Sequence, residues 1–183
     1  PQLQPWYGQF QKSEEGGDRR VPLVDEVHDF LAGRIPEQGP AAIVHGDYRL
    51  DNTMLGDDGQ VIAVLDWEIC TLGDPLADVG LLMVYWPDNR DDSALLSVSP
   101  TTVPGFPSRD EIRARYAAKS GRDVSNLDFY VAFGYWKLAC ILEGVYARYA
   151  GGAQGGDRSG AFEGFAEQVV KLAEAAKAAS ERL

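Results

Sequence analysis

In the stretch VPLVDEVHDFLAGRIP, apolar residues fall four apart at Leu23, Val27, Leu31 and Ile35. That spacing predicts one face of a helix, stopped by Pro36. The twenty residues before it are polar and mixed, and KSEEGGDRR at 12–20 reads as an exposed loop. The run AAIVH at 41–45 is too short for a helix and predicts a buried strand. NTMLG and VIAVLD follow, joined by DDGQ, whose Asp-Gly is a hairpin signal.

From Pro75 the pattern turns helical through Trp86, with Asp74 as N-cap and Pro75 at the first helical position. The segment 87–107 carries four prolines and reads as a long loop, a length that more often serves function than idles. Ser108 and Glu111 form a capping box for a helix through about Lys119, closed by Gly121. Ser125 with Asp128 is a second capping signal, opening a long helix to about Tyr149 with Tyr130, Phe133, Trp136 or Lys137, and Cys140 or Ile141 near one face. A Gly-rich break at 151–160 precedes an Ala-rich amphipathic helix over 161–182 that uses Phe162, Phe165, Val169 and Leu172. The predicted fold class is α+β and mainly α-helical, with small β-hairpins and a polar cluster where they meet the helices.

At 183 residues, 45% hydrophobic, the chain can bury a full core. Its formal charge of -11 argues against nucleic acid or an anionic membrane as partner and favours a small dissolved substrate. No apolar run approaches the roughly 18 residues that span a bilayer, and PQLQPWYGQF lacks the build of a signal peptide, so a cytoplasmic location is expected. Cys70 and Cys140 are expected as free, buried thiols. Only His28 and His45 supply imidazole, so a metal must be held by oxygen, which favours magnesium, manganese or calcium.

The chemistry concentrates in VHGDYRLDNTML and VIAVLDWE, where Asp47, Asp51, Asn52 and Asp66 stand beside short apolar runs. Buried polar groups are costly unless something pairs with them. The spacing His45-x-Asp47-x-x-x-x-Asn52, with Asp66 at the end of the next strand, suits phosphoryl transfer, which needs a base for the attacking hydroxyl and oxygen ligands for magnesium. Asp47 supplies the base. Asn52 brings a neutral metal ligand and Asp66 a charged one, on strand ends close enough to share an ion. Singly, each is also an ordinary turn residue. Asp51 reads as a loop residue, and Arg49 as a contact to phosphate or to a carboxylate.

These two motifs, HGDYRLDN and LDWEICTLGDPLAD, resemble the C-terminal lobe of the aminoglycoside phosphotransferase family, which includes choline, fructosamine and homoserine kinases. The match is closest to the branch fused to acyl-CoA dehydrogenases. The resemblance implies a protein-kinase-like C-terminal lobe over 1–183, with 1–20 as an inter-lobe or linker segment, using ATP and Mg2+ to phosphorylate a hydroxyl of a small molecule. It implies Asp47 as catalytic base, Asn52 and Asp66 as metal ligands, and Met54 with Leu65 or Val64 as the floor under adenine. His45 and Asp78 would support the catalytic loop, Asp74 would cap the helix or do the same, and Glu68 would support the metal or face a cationic group.

A complete kinase of this family also needs an N-terminal lobe with a phosphate-covering loop and a strand lysine. The residues before His45 contain neither, and Lys12 sits in a polar stretch. The expectation is therefore a catalytic lobe whose N-terminal lobe is missing, inactive as an isolated chain. Two other readings stand beside it: a non-catalytic kinase-like binding module, against which the intact Asp47, Asn52 and Asp66 weigh, and a two-metal phosphohydrolase, for which the chain has too few histidines. For the acceptor, Asp88, Asp91 and Asp92 near the long loop suit a cationic molecule, although acidic surface also serves solubility. The dehydrogenase-fused branch instead implies hydroxylated acyl thioesters or similar metabolites.

Overall fold

Pro22 starts a helix at no cost, because the N–H it lacks would have no helical partner in the first turn. In the computed structural model, which describes residues 2–15, 19–87, 99–151 and 163–183, this helix α2 runs Pro22–Ala32. Gly33 closes it, three residues before Pro36. Its buried face is Val24, Val27, His28 and Leu31. Leu23 is only half-buried and Ile35 lies exposed beyond the helix end, so the true stripe keeps Val27 and Leu31 of the predicted one and takes in Val24 and His28 instead of the other two.

The described residues fall into two compact units, Pro1–Ile35 with Ala132–Leu183, and Pro36–Val131. In the first unit, α1 occupies Leu3–Glu15, where a polar start and a loop from residue 12 were expected. Leu3 and Phe10 are its buried anchors, one narrow stripe on a mostly polar helix. Glu14, within the expected loop, is buried and accepts the Val21 N–H at 2.7 Å. The long helix α5 spans Leu127–Ala150, beginning in the second unit and continuing in the first, and its residues from Phe129 to Cys140 are all buried, so it is not the one-faced helix expected. Within this unit Trp136 is fully buried and its Nε1 donates to the Val24 carbonyl at 2.9 Å. The last helix, α6, covers Glu163–Ser180 and buries Val169, Leu172, Ala173 and Ala176. Phe162 and most of the Gly-rich break lie outside the described residues.

The second unit carries the strands. β1 (Ala42–Val44) pairs antiparallel with β4 (Thr71–Gly73), and β2 (Thr53–Leu55) with β3 (Val61–Val64). The β2–β3 hairpin is the predicted one, closed by Gly56 N–H donating to Gln60 O at 2.8 Å. β4 was not predicted, and β1 is buried only at Val44: Ile43 is 66% exposed and its cross-strand partner Leu72 is 76% exposed. Helix α3 (Leu76–Val84) follows Asp74, whose Oδ1 accepts the Leu76 N–H at 2.9 Å as a cap should. Helix α4 (Arg109–Ser120) has the predicted capping box between Ser108 and Glu111, and Gly121 ends it in a left-handed conformation.

The expected Ser125–Asp128 cap does not form. Ser125 donates from both N–H and Oγ to Asp123, at 2.9 and 2.8 Å, while Asp128 pairs with Arg113. The start of α5 instead meets α3 closely. A Cβ on Gly80 would lie 2.5 Å from the Tyr130 carbonyl carbon, so only glycine permits that approach. Cys140 is buried as expected, with burial pushing its thiol up, but Cys70 is exposed. No helix of the described residues is long and apolar enough to cross a membrane.

Candidate functional site

The chain leaves β1 at Val44 and enters a loop whose first peptide groups have lost their strand partners. Asp78, in the first turn of α3, takes them up: Oδ2 accepts the His45 N–H at 2.6 Å and Oδ1 the Gly46 N–H at 2.8 Å. A carboxylate accepting two backbone donors is a strong, charge-assisted clamp. Gly46 turns with φ 88°, and a Cβ there would come within 3.1 Å of the Ile69 carbonyl. The buried His45 side chain accepts the Asp47 N–H on Nδ1 at 3.2 Å, so its ring proton sits on Nε2, which donates to the Leu65 carbonyl at 2.7 Å.

Asp47 and Asn52 close the far end of the loop. Asn52 Nδ2 donates to the Asp47 carbonyl at 2.7 Å and to its carboxylate Oδ2 at 3.0 Å. The amide nitrogen is thereby engaged, and Oδ1 is the atom of Asn52 left to serve a cation. Arg49 pairs loosely with Asp47 Oδ2 (Nε, 3.5 Å) and with Asp51 Oδ2 (3.3 Å), a carboxylate contact of the kind the sequence left open. Its guanidinium lies 5.1 Å from the ring centre of Tyr85, at the end of α3. Burial pushes the Tyr85 hydroxyl up; Arg49 opposes this, and Asp47 and Asp51 add to it. In the sequence Tyr85 reads as one more apolar residue of a helical run, and nothing local marks it for the site.

The hairpin brings in Asp66. The ladder extends one step past β3, with Leu65 N–H donating to the Asn52 carbonyl at 2.8 Å. Leu65 is thus held on one side by Asn52 and on the other by His45, and Asp66 follows directly. Asp66 has φ 66° and ψ 53°, the one non-glycine residue with positive φ among the described residues. Such a conformation is costly for most side chains and tends to mark functional positions.

Among the described residues no three His, Cys, Asp or Glu side chains gather into a metal cluster. Two oxygen donors, an amide and a carboxylate on neighbouring strand ends, nevertheless suit magnesium, which keeps several waters and takes substrate phosphates as ligands.

Met54 pairs with Ala63 in the hairpin register, and Leu65 lies two residues beyond Ala63, so Met54 and Leu65 share a face and Val64 does not. Both are about half exposed. They belong to a run of exposed apolar side chains that includes Leu55, Ile62, Trp67 and Ile69. Glu68 is exposed. Asp74 is set apart from the loop: besides capping α3, its Oδ2 accepts from the Tyr130 hydroxyl at 3.0 Å and the Gly39 N–H at 3.4 Å. Burial first, then the bond to Asp74 and its charge, push the Tyr130 hydroxyl well up. Any support Asp74 gives to the loop passes through α3. Asp88, Asp91 and Asp92 lie outside the described residues.

Residues 1–123 match the model of the phosphotransferase enzyme family. Acyl-CoA dehydrogenase family member 10 of mouse is 35% identical over 151 residues, covering 80% of this chain and 14% of that protein. Family member 11 of chicken is 33% identical over 190 residues, covering 100% of this chain and 24% of that protein. A crystal structure from Ralstonia eutropha, provisionally described as an aminoglycoside phosphotransferase, superposes with a TM-score of 0.77 at 30% identity, covering 99% of this chain and 54% of that one. The chain thus spans about a quarter or less of these two curated relatives and about half of the solved neighbour.

Proposed function

Because this chain belongs to the phosphotransferase enzyme family, we propose that it carries the catalytic half of an ATP-dependent kinase acting on a hydroxyl of a small molecule. The observation that carries the reading is the pair of bonds from Asn52 Nδ2 to the Asp47 carbonyl and carboxylate, which ties a base to a metal ligand within one loop. The hairpin step from Leu65 to Asn52 supports adding Asp66 to the same cluster.

In the proposed reaction Asp47 accepts the proton of the acceptor hydroxyl as its oxygen bonds to the γ-phosphorus, and the bond to the β-bridging oxygen breaks to release ADP. Asn52 Oδ1 and the Asp66 carboxylate hold Mg2+, which when bound neutralises charge on the phosphates. Met54 and Leu65 form the apolar floor for adenine. Asp78 and His45 keep the loop rigid, so that the base is already oriented when substrate arrives.

The exposed apolar side chains of the strands support a further part of the reading, that an N-terminal lobe covers these strands and completes the nucleotide cleft. On this reading the protein works in the cytoplasm on a dissolved acceptor. The acceptor class stays with the two candidates that sequence offers, a cationic alcohol or a hydroxylated acyl thioester.

Calorimetric titration of Mg-ATP, into this chain and into the protein carrying both lobes, is the test. Binding is expected only with both lobes. There Asp47→Asn should abolish turnover and leave Mg-ATP binding largely unchanged, whereas Asp66→Ala should weaken the binding itself. Wild-type turnover in Asp47→Asn would sink the assignment of the base.

A further inference from the structure

Arg49 is two residues beyond the base, and nothing above gives it a task. Its contacts are unusual for a surface arginine. The side chain is about one-third exposed, and its guanidinium spans two carboxylates and lies over the Tyr85 ring. Its Nε is buried and makes no hydrogen bond, because Asp47 Oδ2 stands at 3.5 Å, beyond the usual range for N–H···O. An exposed ion pair would be worth little. A buried donor left half an ångström short of a carboxylate is different, since a small shift of Asp47 completes the bond, as catalytic contacts commonly do when substrate binds.

Among the described residues, both side chains that reach the Asp47 carboxylate come to the same oxygen. Asn52 Nδ2 lies 3.0 Å from Oδ2 and Arg49 Nε lies 3.5 Å from it. Oδ1 is left for the acceptor. The second arm of the guanidinium pairs with the exposed Asp51 at 3.3 Å, and its carbon lies 5.1 Å from the Tyr85 ring centre, so a swing away from Asp47 gives up both contacts.

We infer that Arg49 is a positioning residue for the phosphotransfer step: held by Asp51 and Tyr85, it fixes Asp47 through Oδ2 so that Oδ1 faces the acceptor hydroxyl. The inference rests on the kinase reading proposed above. It assigns Asp51 and Tyr85 a purpose as well, as the supports of Arg49 rather than as contacts to substrate.

Because the acceptor is unidentified, the probe is hydrolysis of Mg-ATP, with water in the place of the hydroxyl, by the protein carrying both lobes. Arg49→Met should lower kcat roughly 100-fold, the order lost when a reacting group is misplaced by about an ångström, with KM for Mg-ATP essentially unchanged. Arg49→Lys should recover part of the loss. A loss confined to KM would overturn the inference.

If wild type and Asp47→Asn hydrolyse ATP alike, the kinase reading falls and takes this inference with it. If Asp47→Asn is dead but Arg49→Met matches wild type, only the role of Arg49 falls. A measurement free of activity stands beside these: in this chain the Arg49 Nε–H resonance should shift on Asp47→Asn, and its indifference to that change would also overturn the inference.

Discussion

His45 donates from Nε2 to the carbonyl oxygen of Leu65 at 2.7 Å, a bond between the loop that bears Asp47 and the hairpin that leads to Asp66. The same ring accepts the Asp47 N–H. One buried imidazole therefore sets the backbone on both sides of the site. His45→Ala would leave a buried carbonyl and an amide without partners, besides a cavity, and should cost about 3 kcal/mol of stability. Chemical denaturation of the chain measures this, and an unchanged midpoint would show that the bond does not support the site.

What the sequence makes legible here is what depends on near neighbours. The Ser108–Glu111 box and the β2–β3 hairpin are set by residues a few positions apart, and both were expected. The loop from His45 to Asn52 is equally local, which is why Asp47 and Asn52 read together from sequence as a candidate base and a candidate metal ligand. β4 escaped because it pairs with the distant β1, and no local pattern announces such a partner. Tyr85 escaped for the same reason, since its meeting with Arg49 depends on the path of the chain between them. Ser125 shows the converse, a capping signal overruled by a nearer carboxylate at Asp123.

Gly80 faces the Tyr130 backbone at a distance that excludes a methyl group. Overpacking of this kind costs about 1–3 kcal/mol when the neighbour can yield, and a backbone neighbour yields less readily than the end of a side chain. Gly80→Ala should therefore lower the unfolding midpoint by at least this order and also disturb the Tyr130–Asp74 bond. Thermal unfolding with tyrosine absorbance as the probe checks both. A variant as stable as wild type would mean that the two helices separate without cost.

Tyr7 donates from its hydroxyl to Asp25 Oδ1 at 2.7 Å. Burial, then the bond to Asp25 and its charge, push the hydroxyl from 10.0 to about 12. The folded state thus favours the protonated form. The resulting stability is fully present below about pH 10 and is lost as pH rises through about 12. Tyr7→Phe should be less stable than wild type at neutral pH and show a shallower decline between pH 10 and 12. Urea midpoints across that range test the sign, and parallel curves for the two proteins would refute it. Tyr130 is also shifted upward, so part of the decline should persist in the variant.

Asp66 adopts a left-handed backbone that glycine reaches freely and alanine does not. Stability and function should therefore part company at this position. Asp66→Gly relieves the backbone and should unfold at or above the wild-type midpoint. Asp66→Ala keeps a Cβ in the same conformation and should lose about 1 kcal/mol, the usual order for such strain. Neither variant retains the carboxylate, so both should lose the magnesium dependence of ATP binding in the protein carrying both lobes. Denaturant midpoints and Mg-ATP titration on the same pair of variants read the two effects apart. A glycine variant that kept full Mg-ATP affinity would remove Asp66 from the metal site, while one that was markedly less stable would mean that its side chain, and not its function, holds the turn.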